Sequence, residues 1–469
     1  MRLTSSLNEI IFPSIVSGTS SILLALIHQY EKSEWWTREQ LLDAQFQQIT
    51  LLAEHAMRTV PFHAERLTKA GFRVGEKMTP EIWSRLPILT RADVRDGELK
   101  LKASSYPPSY GALTEATSGG STGIPVRILK TGLDGLMWQA AHLREFRWHG
   151  IDFSQEIANM KGMGVDKYKE NPDTFLDEPG VIAPSWGAPA SLLWKTGRMG
   201  IVQPDDPVEI KVKYLIRRRP GYLIARPADL RLLLAYFREH GLTLDSLLSV
   251  WTMSESVDEG LRALCREIFG CPILSNYTCN ETGYMAIQCP SGTNYHEVSE
   301  SQLVEVIDAS GRPCQPGQIG RVVVTPLHNF AMPLLRYEVG DEAEVGAACP
   351  CGRGLPSLSR IVGRLHDYVV LRSGDKRRVY IEHYKISAIR AVREFQLVQT
   401  SLDRVELRIV VARPLDGEEK EKIDAVLKKG FEGYLEWSIV LVEALPRTSS
   451  GKLLQFRSEI PQCREETVG

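Results

Sequence analysis

Hydrophobic positions recur at helical spacing along several stretches of the chain. Between residues 34 and 71 apolar side chains fall three or four residues apart, which predicts helix; they are Trp35, Leu41, Leu42, Phe46, Ile49, Leu51, Leu52 and Ala56. The same spacing over residues 135–150 predicts a helix with Trp138, Leu143 and Phe146 on one side. A further helix is predicted near residues 418–431.

Short apolar runs indicate strands between and after these helices. Residues 210–247 alternate helical stretches with pieces such as Tyr222-Leu223-Ile224, which is typical of α/β units. From residue 303 the pattern changes to two strand-like runs, 303–308 and 320–325, with glycine and proline turn residues between them. We therefore expect an α/β region, then a small antiparallel sheet or barrel, and beyond Arg364 a smaller α+β domain.

Length and composition limit the class of protein. A chain of 469 residues is too long for one ordinary core, so two or three domains are expected. Hydrophobic residues at 43% and charged residues at 24% fit a globular protein in water. The 56 basic and 58 acidic residues leave a net charge of −2, which gives no support to a nucleic-acid partner.

Residues 10–30 form the longest uncharged stretch. Pro13, Gly18 and several Ser/Thr residues interrupt it, so it does not favour a membrane span. Glu9 and the lack of a small-residue cleavage pattern argue against a signal peptide. We expect a packed amphipathic segment in a cytoplasmic protein.

One loop carries the first candidate chemistry, residues 117–125 with the sequence TSGGSTGIP. Its glycines let backbone N–H groups approach an anion, and its hydroxyls add uncharged donors. A strand-like run follows at residues 126–129, and no Walker lysine is present, so a phosphate-binding loop between strands is favoured over a Walker A site. The alternative is a flexible Ser/Gly surface turn.

Four further segments follow in order: NYTCNETG at 276–283, RYEVGD at 336–341, GRLHD at 363–367 and PRTSSGK at 446–452. With the glycine loop they make the chain resemble the adenylate-forming (AMP-binding) enzymes, in particular the phenylacetate–CoA ligase and CapK-like branch. The likeness runs from about residue 30 to about residue 457. It implies an α/β fold: an N-terminal adenylation domain over residues 1–363, with a β-barrel-like part at about 300–363, and a small mobile α+β lid domain over 364–469.

The resemblance also implies roles for individual residues. The glycine loop would hold the phosphates of ATP through Ser118, Gly119, Gly120, Ser121, Thr122 and Gly123. Tyr277 would stack on adenine beside Asn276, and Asp341 and Arg364 would bind the ribose or phosphate. Glu281 would bind Mg²⁺, which prefers carboxylate and phosphate oxygens.

The chain keeps the family's catalytic lysine and departs from the family's pattern at two other positions. Lys452 matches the lysine that bridges the carboxylate and the phosphate during adenylation. The family's lysine after the loop proline is missing, and Val126 and Arg127 stand in its place; Arg127 either supplies the charge or points away. His366 replaces the first acidic residue of the hinge, and Asp367 matches the second.

Four residues could form a metal site. Cys289, His296, Cys349 and Cys351 would give a closed Cys₃His set of the structural zinc type. The C-x-C spacing is tighter than usual, and four ordinary core side chains are the alternative. Some members of the resembling branch carry this arrangement. The other cysteines are interpreted as ordinary thiols: Cys265, Cys271, Cys279, Cys314 and Cys463.

The implied activity is an ATP-dependent ligase that joins a carboxylic acid to AMP and then transfers the acyl group to CoA. Transfer to an amine or a carrier-protein thiol is one alternative, and a non-catalytic scaffold is another. An aryl or hydroxylated acid is the expected substrate, with Trp138, His142, Arg144 and Trp148 near the acyl pocket. We expect a monomer or homodimer without nucleic-acid partners.

Overall fold

The computed structural model describes residues 3–460, apart from 8, 11, 118–125, 162–174, 178–179, 204–205, 254, 256, 365–367, 379–380, 382–384, 387–388, 390 and 448–452. Among these residues no helix is both long and apolar enough to cross a membrane.

Helices occupy the N-terminal part of the chain. They are α1 Thr19–Ser33, α2 Arg38–Thr59, α3 Pro61–Ala70, α4 Pro80–Arg85, α5 Arg91–Asp96 and α6 Glu98–Leu101, with a 3₁₀ turn at Pro108–Tyr110. The single helix predicted over residues 34–71 is wrong in one respect. Thr37 caps α2 in a capping box and Val60 ends it, because Pro61 cannot continue the ladder and starts α3 instead. Helix α1 buries Leu23, Ile27 and Tyr30, as expected for a packed amphipathic segment.

The glycine loop lies between two paired strands. Strands β1 Thr114–Thr117 and β2 Arg127–Lys130 are antiparallel, and Thr117 is opposite Arg127. The prediction of a loop between strands is therefore confirmed for its flanks. Helix α7 Gly132–Trp148 follows, close to the predicted 135–150, and a capping box of Thr131 and Asp134 starts it.

The central α/β region supplies the half of the main sheet that is parallel except for its edge strands, Phe175–Asp177 and Gly180–Ala183. Its strands are β3 Ile157–Asn159, β4 Phe175–Asp177, β5 Gly180–Ala183, β6 Met199–Ile201, β7 Tyr222–Ala225, β8 Ser249–Thr252 and β9 Ile273–Cys279. The helices between them are α8 Ala190–Leu193, α9 Val208–Arg218, α10 Pro227–Glu239 and α11 Glu259–Phe269. Strands β6, β3, β7, β8 and β9 are parallel neighbours, which confirms the predicted α/β units. Apolar clusters cover both faces of this half.

Antiparallel strands extend the same sheet. They are β10 Gly283–Gln288, β11 Tyr295–Glu297, β12 Gln302–Ile307, β13 Ile319–Pro326, β14 Tyr337–Val345 and β15 Ser357–Arg364. The order β12-β13-β14-β15-β11-β10-β9 joins them to the parallel half in one sheet of thirteen strands, so the described β-rich part is continuous with the α/β part instead of a separate barrel. The joint is narrow, because β11 and β15 share only the pairs Tyr295–Leu358 and His296–Ser357.

The C-terminal part has its own sheet and core. A two-stranded ribbon, β16 Tyr368–Val370 and β17 Lys376–Arg378, precedes strands β18 Val392–Ser401, β19 Arg404–Val411, β20 Glu436–Leu441 and β21 Phe456–Ser458. The latter four form a sheet of order β20-β19-β18-β21, covered by helix α12 Gly417–Phe431 as the sequence predicts. A separate apolar cluster between them gives this α+β part its own core.

Candidate active site

Two of the sequence motifs meet through a hydrogen bond. The hydroxyl of Tyr277, on β9, donates to Oδ2 of Asp341, on β14, at 2.9 Å. In the β14–β15 ladder Asp341 lies opposite Arg364, whose backbone is described. The aromatic residue and the two residues predicted to bind the nucleotide are therefore neighbours, although 64 positions separate Tyr277 from Asp341.

The same motif also has a purely structural residue. Arg336 precedes β14 with φ of 53°, a left-handed conformation that is unfavourable for a residue with a side chain. Its guanidinium lies 3.0 Å from Glu305 and donates to the carbonyls of Trp83, Ser84 and Leu86. Arg336 therefore fixes the start of β14, and with it Asp341, against the N-terminal helices.

Glu281 is held by a cation that the sequence analysis missed. It lies two residues after the end of β9 and is 7% exposed, and Nη1 of Arg91 lies 3.1 Å from its Oε1. Arg91 is the first residue of α5, and a capping box of Thr90 and Asp93 fixes the start of that helix. The only sequence signal is a basic residue directly after a capping threonine, and it does not reveal a partner 190 positions away.

Thr117, the residue at the start of the glycine loop, is hydrogen-bonded to the residue before Glu281. Nδ2 of Asn280 donates to the carbonyl of Thr117 at 2.7 Å, so β1 and the Glu281 turn are tied together. The loop residues predicted to bind phosphate lie outside the described part: Ser118, Gly119, Gly120, Ser121, Thr122 and Gly123. Lys452, His366 and Asp367 also lie outside it, and their roles stay predictions.

The residues after the loop place a different lysine near the site. Val126 is buried, and Arg127 is largely exposed with Nε 3.8 Å from Glu115, on the outer face of β2. Lys130, two residues beyond the buried Ile128, is on the opposite face. Burial lowers the pKa of Lys130, and the negative charges of Asp134 and Glu281 partly offset that effect. Arg91 thus pairs with Glu281 and Lys130 feels its charge, whereas Arg127 lies beside Glu115.

Asn276 points to helix α7, away from the Tyr277–Asp341 pair. Its Nδ2 lies 3.1 Å from each carboxylate oxygen of Glu145 and 3.3 Å from the hydroxyl of Tyr284, which itself donates to Glu145. Burial raises the pKa of Glu145 to about 7, and the two hydrogen bonds lower it again only in part. Because the Asn276 amide nitrogen is bonded to Glu145 and Tyr284, a contact with adenine would have to come from the Asn276 backbone. That contact stays a prediction.

The four aromatic and basic residues expected near the acyl pocket divide into two pairs. Trp138 and His142 lie on the face of α7 that contacts Tyr284, with ring centroids at 5.7 and 5.9 Å. Arg144 is instead enclosed, 2.9 Å and 2.6 Å from the two oxygens of Glu300, and stacks over Tyr30 and Trp148. Arg144 and Trp148 therefore hold α1 against α7.

A small cavity opens at Thr282, the residue after Glu281. Its volume of about 30 Å³ is room for one or two water molecules. Polar and aromatic residues line it, among them Lys130, Asp134, Trp138, Thr282, Gln302 and His328. Oε1 of Gln302 and Nδ1 of His328 are buried without a hydrogen-bond partner among the described residues. The cavity between the Glu281 turn and α7 is therefore lined largely by polar side chains.

The four predicted metal ligands converge. One donor atom from each of Cys289, His296, Cys349 and Cys351 lies within 4.8 Å of the others. The Sγ atoms of Cys289 and Cys349 are 3.7 Å apart, and Nε2 of His296 is 3.2 Å from Sγ of Cys351. Tetrahedral zinc with Zn–S bonds near 2.3 Å separates its sulfur ligands by about 3.8 Å, so these residues fit the ion.

The surroundings of this cluster prepare His296 as a ligand. Its Nδ1 lies 3.2 Å from the carbonyl of Leu355, so an Nδ1 proton donates there and leaves Nε2 facing the thiols. Trp148 packs edge-on against the ring at 5.7 Å. Arg353, next to the cysteines, stacks on Trp148 and pairs with Glu34 at 3.3 Å. Gly354 must lack a Cβ, which would lie 1.7 Å from the carbonyl of Trp36.

Comparisons with known proteins agree with these motifs. Residues 374–457 match the profile of the CapK C-terminal domain family. A phenylacetate-coenzyme A ligase of Thermus thermophilus is 25% identical over 393 residues, which are 80% of this chain and 83% of that protein. Protein CapK of Staphylococcus aureus is 22% identical over 424 residues, 88% of each chain.

Solved structures share the fold. A 2-hydroxyisobutyryl-CoA ligase in its postadenylation state superposes with a TM-score of 0.71 at 18% identity, over 93% of this chain and 94% of that one. The same enzyme in its thioesterification state gives 0.57 over the same shares. Both superpositions show that the chain shares the fold of this enzyme over nearly its whole length.

The resemblance that the motifs predicted is confirmed, and so is the fold class. The chain has the mixed α/β fold of adenylate-forming CoA ligases, with a large sheet and a smaller C-terminal domain on a sheet of its own. The phenylacetate–CoA ligase relatives and the CoA-ligase fold support an adenylate-forming ligase.

Proposed function

We propose that this protein is an ATP-dependent carboxylate–CoA ligase that works through an acyl-adenylate. The hydrogen bond between Tyr277 and Asp341, beside Glu281, is the observation that carries the proposal. It supports a site in which the Asp341 carboxylate, held beside Tyr277, accepts hydrogen bonds from the ribose hydroxyls.

The reaction has two steps. A carboxylate oxygen attacks the α-phosphorus of ATP, and the bond to the β-phosphate oxygen breaks to release pyrophosphate. The sulfur of CoA then attacks the acyl carbon, and AMP leaves. The first step brings an anion to an anion, so the site must supply positive charge and preorganised donors.

Magnesium fits the residues around Glu281. A single carboxylate with phosphate oxygens is the usual protein contribution to a Mg²⁺ site beside ATP. The ion would neutralise charge on the phosphates as the α-phosphorus is attacked. Arg91, which pairs with Glu281 at 3.1 Å, and Lys130 would supply the charge that the family's loop lysine provides elsewhere.

An aromatic acid is the substrate class we propose. Trp138, His142 and Tyr284 form an aromatic surface on the α7 side of the Glu281 turn. It continues inward through Phe146 to Trp251 on β8, with centroids 4.3 and 5.1 Å apart along the way. Flat rings pack well against such a surface.

The direct test measures exchange of labelled pyrophosphate into ATP with a panel of aryl, hydroxy and aliphatic acids. The wild-type protein should exchange with at least one acid, and Lys452→Ala should lose exchange while it still binds ATP, because the lysine acts as charge develops in the transition state. Wild-type exchange rates in Lys452→Ala would contradict the role of Lys452, and a wild-type protein that exchanges with no acid would contradict the ligase.

The acceptor is tested separately. With the activating acid in hand, mass spectrometry should detect the acyl-CoA thioester when CoA is added. Formation of an amide with added amines, or of an acylated carrier protein, in the absence of any CoA thioester would favour the other acceptors. Protein that forms only acyl-AMP would also contradict the CoA step.

We also propose that Cys289, His296, Cys349 and Cys351 bind structural zinc. The sulfur spacing of 3.7 Å and the orientation of His296 support it. The four positions are filled by protein, so the ion would have no open position for substrate. Its role would be to tie β10 and β11 to the segment before β15, not to take part in the reaction.

A further inference from the structure

The ammonium of Lys130 is enclosed without a close partner. Lys130 ends β2 and is one of the residues that line the cavity at Thr282. Burial lowers its pKa, and the negative charges of Asp134 and Glu281 offset that effect only in part, without a hydrogen bond to either. No other described residue pairs with this ammonium. Because taking an unpaired ammonium out of water is unfavourable, the cavity favours an anion that would pair with it.

Two more polar groups of the same cavity lack a partner. Nδ1 of His328 and Oε1 of Gln302 are buried without a hydrogen bond among the described residues. Burial lowers the pKa of His328 to about 4, so its ring is neutral at pH 7, and with its proton on Nδ1 the ring donates to an anion. Oε1 of Gln302 is an acceptor, and the Lys130 ammonium has three protons, so the lysine can donate to Gln302 and to an anion together.

A hydrogen bond joins the segments that carry Lys130 and His328. Asn329 is buried, and its Nδ2 donates to the carbonyl of Leu129 at 2.9 Å. Leu129 precedes Lys130, and Asn329 follows His328. The two groups that can donate to an anion are therefore held at one cavity by two segments that are bonded to each other.

One acidic residue, Asp134, also lines the cavity. Its Oδ2 accepts hydrogen bonds from the backbone N–H of Thr131 at 2.8 Å and from the Thr131 hydroxyl at 2.9 Å. Asp134 thus serves the capping box at the start of α7, where the helix dipole favours a negative charge. Lys130 is then the charged group of this lining that has no hydrogen-bond partner.

The cavity has the size of a carboxylate group. Its volume is about 30 Å³, and one water-sized oxygen needs about 10–15 Å³, so two oxygen atoms fit and the four of a phosphate do not. Part of its lining is apolar: Met137, Trp138, Ala141 and Pro326. Trp138 also belongs to the aromatic surface proposed for the ring of the acid. A carboxylate in the cavity would therefore place the carbon that follows it against Trp138.

We propose that Lys130 and His328 bind the carboxylate of the acid substrate in this cavity. The proposal rests on the proposed function and narrows the substrate class to acids with the carboxyl group on an aromatic ring or one carbon from it, because Trp138 lines the cavity itself. Arg91, on Glu281, is left to the phosphates. The charge of Lys130 then lessens the repulsion between the carboxylate and the α-phosphate.

The test compares two probes of nearly equal shape, benzoate and the neutral benzamide. Each is titrated by calorimetry into protein saturated with Mg²⁺ and α,β-methylene-ATP, which cannot release pyrophosphate, so that no reaction follows binding. Wild-type protein should bind benzoate at least about tenfold more tightly, because only benzoate forms charge-assisted hydrogen bonds on both of its oxygens. Equal affinities for the two probes, or no binding of benzoate, would overturn the proposal.

Lys130→Met removes the charge and keeps an apolar stem of similar length. Its affinity for benzoate should fall about tenfold to a hundredfold, and its affinity for benzamide should stay within about twofold of wild type. The affinity for α,β-methylene-ATP should also stay within about twofold, since a phosphate does not fit the cavity. A tenfold loss of nucleotide affinity would instead assign Lys130 to the phosphates and overturn the proposal.

His328 is tested with a matched pair of variants. His328→Leu loses the donor and should bind benzoate about threefold to tenfold more weakly, as expected for a hydrogen bond from a neutral group. His328→Gln has an amide that can donate and should retain more of the affinity. Equal affinities of wild type and His328→Leu for benzoate would remove His328 from the carboxylate site.

Two controls make the result specific. Arg127→Met removes a cation from the exposed face of the same strand and should leave both affinities unchanged; a loss equal to that of Lys130→Met would overturn the proposal. Thermal unfolding shows that the variants fold. Lys130→Met should unfold at a temperature no lower than that of wild type, because it no longer holds an unpaired ammonium away from water.

Binding without reaction keeps the two proposals distinguishable. A wild-type protein that prefers benzoate but exchanges pyrophosphate with no acid would contradict the proposed function and support the carboxylate site. A wild-type protein that exchanges pyrophosphate but does not prefer benzoate over benzamide would support the ligase and overturn the carboxylate site.

Discussion

The guanidinium of Arg91 and the carboxylate of Glu281 are 3.1 Å apart in a largely enclosed setting, with 24% and 9% of their side chains exposed. Each comes from the end of a different element: Arg91 begins α5, and Glu281 follows β9. The carboxylate proposed to bind Mg²⁺ therefore already has a cation beside it, and nucleotide phosphates that enter the site would meet both.

Arg91→Met keeps the length of the side chain and removes its charge. We expect the affinity for MgATP to fall about tenfold or more, since charge-assisted hydrogen bonds contribute roughly 1.5–3 kcal/mol each. Arg91→Lys should retain most of the affinity, and the exposed Arg58→Met should have no effect. Calorimetric titration with MgATP measures this, and unchanged binding by Arg91→Met would remove Arg91 from the phosphate site.

Asp341→Ala removes the proposed ribose acceptor. We expect ATP to bind at least about tenfold more weakly, again because charge-assisted hydrogen bonds are lost. Tyr277→Phe is the matched variant: it keeps the ring and removes only the hydroxyl that donates to Asp341, so its effect should be several times smaller. Equal dissociation constants for wild type and Asp341→Ala would refute the assignment.

The cysteine cluster should give about one zinc per chain by elemental analysis of protein prepared without chelators. Cys349→Ser should lose the zinc and unfold at a lower temperature, because metal binding is coupled to folding. Cys314→Ser, in the loop between β12 and β13, should keep both. Zinc near zero in the wild type, with freely titratable thiols, would leave four ordinary core side chains.

Glu145 should make stability depend on pH. Burial raises its pKa to about 7 in the folded protein, above the unfolded value of about 4.3. The folded state then binds more protons between these values, so the free energy of unfolding falls as pH rises from about 4.3 to 7 and is level above that range. The side chain in Glu145→Gln cannot ionise, so the free energy of unfolding of this variant should not fall in this way as pH rises.

The measurement is thermal unfolding of wild type and Glu145→Gln at pH 5 and pH 8. The variant should gain relative stability at pH 8, on the order of 2–3 kcal/mol from the size of the shift. The exposed Glu76→Gln should show no such dependence. A difference between wild type and Glu145→Gln that is the same at both pH values would show that Glu145 does not titrate in this way.

The sequence predicts those parts of the site that lie within contiguous motifs. Tyr277, Glu281 and Asp341 occupy fixed positions in short sequence motifs. The four metal ligands are three cysteines and a histidine, a combination that is typical of metal sites. Arg91 could not be predicted, because its role depends on a contact between distant segments. Arg144 looked like a pocket residue because of its helix, but helical spacing does not reveal that Glu300 neutralises it.

The fold shows the same limit. Periodicity predicted α7, α12 and the α/β units, since each depends on neighbours a few residues away. It did not show that the antiparallel strands join the parallel ones in one sheet, because the deciding pairs, such as His296 with Ser357, lie 61 positions apart. The boundary between α2 and α3 is predictable from the sequence, because Pro61 is at the first position of α3 and proline there marks the start of a helix.

The two-pair joint between β11 and β15 has a consequence for how the molecule comes apart. His296 is part of that joint, and the cysteine cluster spans it. Thermal opening should begin at so short a ladder and divide the large sheet into two cooperative units, with Tyr277 in one and Asp341 in the other. When one metal ion binds all four ligands, the backbone amides of the whole large sheet should exchange hydrogen at one common slow rate. Without the ion, the amides of the two units should exchange at two different rates.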